Sequence, residues 1–261
     1  MSKRVLRGAR LVVALSFLAL LSSLATGCGR QGRVESPPAR IRLAYTKNFN
    51  AGLVLIALAK GYFSKEGLDV VAEGSPYGKV ALQSLLEGRA DIATVADTPF
   101  VIAVLGGASI SVLSSIQTSN RDEAIVVRRD GGIVKPADLK GKTIGLTRGT
   151  TSDYFAYIFL LANGIDIKDV RIVDLGPTEI AEALDLVSGH LAMRRAEIEA
   201  IWADFDYQVA LDQGLLVDFE DQTRWYGMVD PGRRVEMPNY LDNLYLAGLE
   251  AAEPGAVGLI H

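Results

Sequence analysis

From Arg40 onward the chain alternates short apolar runs with longer amphipathic segments, and that rhythm sets the expected elements. "IRLAY" (41–45) predicts a strand, "AGLVLIALAKGYFSKEG" (51–67) a helix ending near Gly67, "LDVVAE" (68–73) a strand, "GKVALQSLLEG" (78–88) a helix and "DIATVA" (91–96) a strand. Next come "TPFVIAVLGG" (98–107), helical with Pro99 in its first turn, and the strand-like runs "ISVLSSI" (110–116) and "AIVVRR" (124–129). After "DGGIVKPADLKG" the rhythm restarts with "TIGLT" (143–147) as a strand, "SDYFAYIFLLANG" (152–164) as a helix, "VRIVDL" (170–175) as a strand and "PTEIAEALDLVSG" (177–189) as a helix. This βαβαβ order predicts an α/β protein with mostly parallel sheets covered by helices on both faces. The restart predicts a second lobe, with the Gly131-Gly132 region as the crossing point.

The first 27 residues follow a different logic. Lys3, Arg4, Arg7 and Arg10 form a basic start, the apolar run "LVVALSFLALLSSL" (11–24) follows, and the small residues "ATG" precede Cys28. That is the pattern of a secretory signal peptide. A membrane span would stay apolar for about 20 residues, whereas this run turns small and polar toward its end. Cys28 is the single cysteine of the chain, so it has no disulfide partner, and "LATGC" resembles a bacterial lipobox, which implies lipid attachment at Cys28. The polar "GRQGRVESPPAR" that follows reads as a tether, residues 28–39, between membrane and folded body.

Of the 261 residues, the part from Cys28 onward is long enough for one large domain or two small ones. A net charge of -4, with no Lys/Arg cluster beyond the leader, argues against nucleic acid as a partner. Several segments, "LAKGYFSKEGLDV", "GRADIATVADTP", "DLKGKTIGLTRGTTSDYF" and "NGIDIKDVRIVDLGP", stand in an order that resembles the solute-binding lipoproteins of ABC importers. The branch they are similar to includes nitrate, sulfonate, taurine and thiamine-precursor binders, and the similarity runs from about Arg40 to Leu191. The resemblance implies a two-lobed, type II periplasmic-binding-protein-like fold, with a small solute held in the cleft between lobes. It also implies an ABC permease and its cytoplasmic ATPase as partners, a lipid-anchored chain facing the periplasm or cell exterior, and no cofactor.

In open α/β sheets ligands sit beyond the carboxyl ends of the strands, where helix N-termini offer N–H groups and partial positive charge. Three strand-to-helix loops carry suitable residues: Tyr45, Thr46, Asn48, Phe49 and Asn50 in the first, Asp97 and Thr98 in the second, and Arg148, Gly149, Thr150, Thr151 and Ser152 in the third. Ser75 and Tyr77 in "EGSPYGK" add further candidates. Each has a plainer reading beside the functional one: Thr, Ser and Asp before helices are caps, and Tyr45 and Phe49 fit a core equally well.

Other chemistries find no footing. "GKT" (141–143) matches the tail of a phosphate-binding loop, but the required first glycine is Pro136 and the segment leads into a strand. Two distant histidines, His190 and His261, support neither a metal site nor a Ser-His-Asp arrangement, and no GxSxG occurs. An enzyme reading rests on fold analogy alone, that of a eukaryotic pyrimidine-precursor branch whose cysteine-rich motif is missing here.

The chain departs from the family pattern at "LVSGHLAMRRAEIEAIW". Past His190 the sequence continues as the family's far C-terminal end, so an internal deletion is expected, of about two β-α units at ~30 residues each. The expected organisation is residues 1–27 leader, 28–39 tether, 40–130 lobe 1, 131–191 a truncated lobe 2, and 192–261 a C-terminal helical segment packing on the lobes. In that segment Ile198, Ile201, Trp202, Phe205 and Val209, and then Tyr240, Leu241, Leu244, Tyr245 and Leu249, fall at helical spacing and are expected to pack. The acids Glu197, Glu199, Asp204, Asp206, Asp212, Asp218, Glu220 and Asp221 read as a solvated face.

Overall fold

A computed structural model describes residues 38–176, 204–229, 232 and 234–259. The leader, Cys28, the tether, the helix expected over 177–189, the His190–Met193 junction and Ile198, Ile201 and Trp202 lie outside the described residues. The chain divides into Met1–Pro38 and Ala39–His261, and every element below belongs to the second unit.

The first sheet has the order β2-β1-β3 and is parallel throughout. Strand β1 (Ala39–Thr46) is central, flanked by β2 (Leu68–Ser75), in register from Ala39 opposite Leu68 to Thr46 opposite Ser75, and by the short β3 (Ile92–Ala93). Leu43 and Ala44 are consecutive and both buried, so both faces of β1 are covered at its carboxyl end. Between β1 and β2 the sequence predicts one helix to Gly67. It is instead broken in two, α1 (Gly52–Lys60) and the single turn α2 (Tyr62–Lys65). Gly61 adopts φ 64° and its N–H closes the preceding turn on Ala57 and Leu58, a left-handed stop that costs glycine nothing. Helix α3 (Gly78–Leu86) lays Ala81 against Ala44 and Ala90, where small side chains let helix and strand approach closely.

Helix α4 (Asp97–Leu105) follows β3 and is the main packing element of the molecule. Its Phe100 and Val101 meet Leu211, Leu216, Phe219, Tyr240, Leu244 and Leu249, all from the C-terminal third of the chain. Phe219 stands between Phe100 and Tyr240, with ring centroids 4.8 and 5.2 Å away, tilted as aromatic quadrupoles prefer. The second sheet pairs β4 (Thr143–Leu146) with β5 (Arg171–Asp174) in parallel, and α5 (Thr151–Ala162) buries Ala156 and Leu160 against Ile144, Leu146, Leu139 and Ile165. On the other side of α5, Phe155, Ile158, Phe159 and Leu161 remain exposed.

The C-terminal third differs from its periodicity. Phe205 and Val209 are not helical: residues 205–210 form no helix, with Thr118 bridging Asp206 and Ser115 bridging Ala210. The helix falls later, as α6 (Gln213–Val229), after β6 (Leu211–Asp212), which pairs with β7 (Val257–Gly258). The Tyr240–Leu249 stripe is split between a 3-10 turn (Tyr240–Asn243) and α7 (Leu246–Ala252), with Tyr240, Leu244 and Leu249 buried and Tyr245 exposed. Of the two strands expected after α4, 110–116 survives only as single bridges and 124–129 forms no strand, since neither gains a partner able to propagate a ladder among the described residues.

Phe219 is 2% exposed and Phe155 39%. Phe219→Ala is expected to lower unfolding free energy by about 3–5 kcal/mol and Phe155→Ala by less than about 1 kcal/mol, read from urea transitions.

Candidate functional site

Parallel strands bring their following loops to one edge, and here the loops after β1, β3 and β4 are joined by hydrogen bonds. Thr46 donates its N–H to Thr94 Oγ1 at 2.9 Å and pairs hydroxyl to hydroxyl with it, tying the first loop to the second. The Thr151 hydroxyl reaches Asp97 Oδ1 at 3.5 Å, tying the second loop to the third, and Lys79 Nζ at the start of α3 donates to the Arg148 carbonyl at 2.8 Å. Beside them opens a cleft of about 450 Å³, a volume suited to a small ligand, lined by Asn48, Phe49, Asn50, Arg121, Asp122, Glu123, Asp204 and Phe205.

Not all the sequence candidates stand alike. Asn48 lines the cleft and, with Phe49, belongs to the 3-10 turn that follows β1. Thr46 and Ser75 are buried at the carboxyl end of the sheet, the Ser75 carbonyl accepting the Lys47 N–H, and Tyr45 is half-buried opposite Gly74. Thr98 is fully buried. Neither Asp97 nor Thr98 caps α4: the cap position is Ala96, and Asp97 lies in the first turn, where its Oδ1 accepts the Thr98 N–H at 2.9 Å.

The turn before α5 uses its donors internally. Gly149, at φ 66°, gives its N–H to Asp153 Oδ2, and the Arg148 guanidinium pairs with Asp153 Oδ1 at 3.0 Å. The Arg148 N–H goes to Asp174 Oδ1 and the Thr150 hydroxyl to the Thr147 carbonyl. Thr151 and Ser152 direct their hydroxyls at carboxylates, those of Asp97 and Glu123, the latter at 3.1 Å.

Sequence reasoning missed the cleft's Arg121, Asp122 and Glu123, and found Asp97 but not its partners. Asp122 and Glu123 line the cleft, and Asp97 is gripped from the C-terminal side by Gln222 Nε2 at 2.5 Å. Desolvation comes first in raising the Glu123 carboxyl above its usual range; the Ser152 hydroxyl opposes it, and the negative charges of Asp122 and Asp97 add to it. Asp122, though exposed as a residue, is also raised, by desolvation first and then by Asp97. Asp218 is raised by desolvation and by Asp97 in turn. Arg121, the one cation lining the cleft among the described residues, is paired with Asp204 at 3.3 Å. Among the described residues no group of three or more His, Cys, Asp or Glu is placed to hold a metal ion.

The family model described as NMT1/THI5 like matches residues 48–193, more than half of the chain. The chain belongs to that family. A Brucella abortus protein named as a binding protein is 26% identical over 163 residues, 62% of this chain and 47% of its own length. An Escherichia coli protein named for binding aliphatic sulfonates is 27% identical over 195 residues, 72% of this chain and 57% of its own. The chain thus spans about half the length of the curated relatives it matches. Among solved structures, the alkanesulfonate-binding protein of Xanthomonas axonopodis pv. citri bound to MOPS aligns with TM-score 0.50 and 22% identity over 77% of this chain and 61% of that one. The ligand-binding component of an ABC-type import system from Staphylococcus aureus aligns with TM-score 0.55 and 10% identity over 79% and 96%. These likenesses establish the periplasmic-binding-protein-like fold of this NMT1/THI5-like chain.

Because the folded-state Glu123 carboxyl titrates above its ordinary 4.5, its ionised form is disfavoured in the native protein at pH 7. That penalty is complete above the raised value and vanishes as pH falls below the ordinary one, so acidification through this window stabilises the fold at this site. Glu123→Gln is expected to flatten that limb and to be at least as stable as the parent at pH 7, measured as urea midpoints between about pH 4 and 7.

Proposed function

We propose that this chain is the extracytoplasmic solute-binding component of an ABC importer. Residues 1–27 export it, Cys28 carries a lipid that anchors it to the membrane, and residues 28–39 tether the folded body. Lobe 1 (40–130) and a lobe 2 (131–191) shortened by an internal deletion enclose the solute, the segment 192–261 packs on them, and the loaded protein delivers its cargo to a membrane permease and its ATPase. The observation that carries the reading is the junction of loops from two parallel sheets, Thr151 with Asp97 and Ser152 with Glu123, beside an open cleft in a member of this family. The solute classes to consider are sulfonate, taurine, nitrate and thiamine-precursor pyrimidine, in keeping with relatives named for aliphatic sulfonates. Tyr45, Thr46, Asn48, Ser75, Asp97, Thr98, Arg148, Gly149, Thr150, Thr151 and Ser152 serve as the binding residues, Asn48 lining the cleft and the others shaping the loops beside it.

A second reading draws on the exposed apolar stripe of α5 and on the chain's short span relative to its relatives. On it the chain is a repurposed interaction module whose lobes no longer close on a solute, and its exposed Phe155, Ile158, Phe159 and Leu161 meet another surface. The third, a pyrimidine-precursor enzyme, rests on fold analogy alone.

A thermal-shift screen over the four solute classes separates these readings. A true ligand at about 100 times its Kd adds about 2.7 kcal/mol, which raises Tm by about 5–10 °C for a body of this size. A well-folded protein that no candidate shifts, and that self-associates and binds an apolar dye, is the module of the second reading. Cys28→Ser is expected to move the chain, expressed in a bacterium that lipidates exported proteins, from the membrane fraction to the soluble one. Retention of that variant in the membrane would remove the lipid anchor.

A further inference from the structure

Helix α5 has two apolar faces, and its fold covers only one of them. Ala156 and Leu160 are buried against the helix's own sheet. On the other side Phe155, Ile158, Phe159 and Ala162 follow the i, i+3, i+4, i+7 spacing of a single helical stripe, and all four are exposed. From Tyr154 to Ile165 the chain holds no charged residue, so nothing on this stripe calls for water or for a charged partner. The stripe widens on one flank. Leu161 is exposed there, and the Tyr157 hydroxyl reaches Met228 Sδ at 3.5 Å, which brings Met228, exposed near the end of α6, alongside.

The order of sizes along the stripe says what fits it. About a two-fold axis between Ile158 and Phe159, an antiparallel second α5 sets Phe155 opposite Ala162 at both ends and Ile158 opposite Phe159 at the centre. Large meets small at the ends, which lets the two helices approach and interlock. Antiparallel pairing also sets each helix N-terminus beside the C-terminus of the other, where the dipoles attract. The area agrees with this occupant. Phe155, Ile158, Phe159, Leu161 and Met228 are between 36% and 61% exposed. At roughly 150–250 Å² for an aromatic side chain and somewhat less for the others, they leave about 400 Å² uncovered on each copy. With Ala162 and the surrounding rim, a two-fold contact removes about 1,000 Å² from water, the lower bound of a specific interface.

We propose that the outer face of α5 is a homodimer surface: two copies pair their α5 helices antiparallel about an axis between Ile158 and Phe159, with Met228 at the rim. The inference rests on one premise of the second reading, that this face meets another surface, and commits that surface to a second copy. It holds whether or not the cleft binds a solute.

The test follows sedimentation equilibrium of the full chain carrying Cys28→Ser over a range of concentrations. A monomer–dimer equilibrium with Kd on the order of 10 μM is expected for an interface of this size. Phe159→Glu and Ile158→Lys are each expected to raise that Kd at least about tenfold, because each sets a charge against an apolar side chain of the other copy. Mixed in equal amounts, the two variants are expected to recover the dimer, since opposite charges then face each other across the axis. Urea midpoints of both variants, checked first, separate loss of pairing from loss of fold. A chain that stays monomeric up to about 1 mM overturns the inference. Association that neither variant weakens also overturns it, by moving the contact to another face, while self-association itself keeps the second reading alive. Assembly that runs on past the dimer, or monomer that floats with phosphatidylcholine vesicles, gives the stripe to aggregation or to lipid and overturns the pairing. A monomer that binds no apolar dye removes the inference and the second reading together.

Discussion

The carboxylate of Asp97 is the joint on which the site depends. Its two oxygens collect the Thr98 N–H at the start of α4, the Thr151 hydroxyl at the start of α5, and the Gln222 amide from the middle of α6. Three helices from distant parts of the chain therefore share one acceptor. A negative charge in the first turn of a helix is favourable in itself, since the unsatisfied N–H groups there carry partial positive charge. The same charge acts outward as well: desolvation comes first in raising the carboxyls of Asp122, Glu123 and Asp218 and the phenol of Tyr154, and the charge of Asp97 adds to it at each. One residue thus both fastens the loops and sets the electrostatic sign of the space beside them.

That joint is supported by packing from the C-terminal third. Helix α6 places Phe219 between Phe100 and Tyr240 and, two turns on, Trp225 edge-on to Tyr154 of α5, with centroids 5.4 Å apart at 70°. Gln222 lies between these two aromatic contacts on the same helix, which is why its amide is held still while nearly all of it is removed from water. Hydrophobic burial on α4 and an aromatic contact on α5 therefore position a polar group whose own hydrogen bonding is half complete. The apolar contacts supply the free energy, and the polar ones supply the geometry.

Much of the scaffold was legible because it is local. The strands at 39–46, 68–75, 143–146 and 171–174 and the helices at 78–86, 97–105 and 151–162 follow from periodicity within a dozen residues. The break at Gly61 was less so, since a glycine inside a helical pattern signals a stop only when it takes the left-handed conformation. Phe205 and Val209 kept helical spacing but formed no helix, because Ser115 and Thr118 offered backbone partners that no local pattern reveals. The loops were found by the strand-to-helix rule, yet their chemistry was read from donor residue types alone. Gln222 meets Asp97 across 125 residues, and Glu123 meets Ser152 across 29, so the acceptor character of the cleft exists only in three dimensions.

The way the donors are used also constrains how a solute can enter. In the turn before α5, Asp153 takes both the Gly149 N–H and the Arg148 guanidinium, so a residue within the first helical turn plays the part of a bound anion. An external anion would have to displace that carboxylate, which is buried and covalently tethered at high effective concentration. Asp122 and Glu123 are held in part already, Asp122 by the Asn50 side chain and Glu123 by the Ser152 hydroxyl. The turn that looked from sequence like an anion cradle is thus already filled by the protein itself.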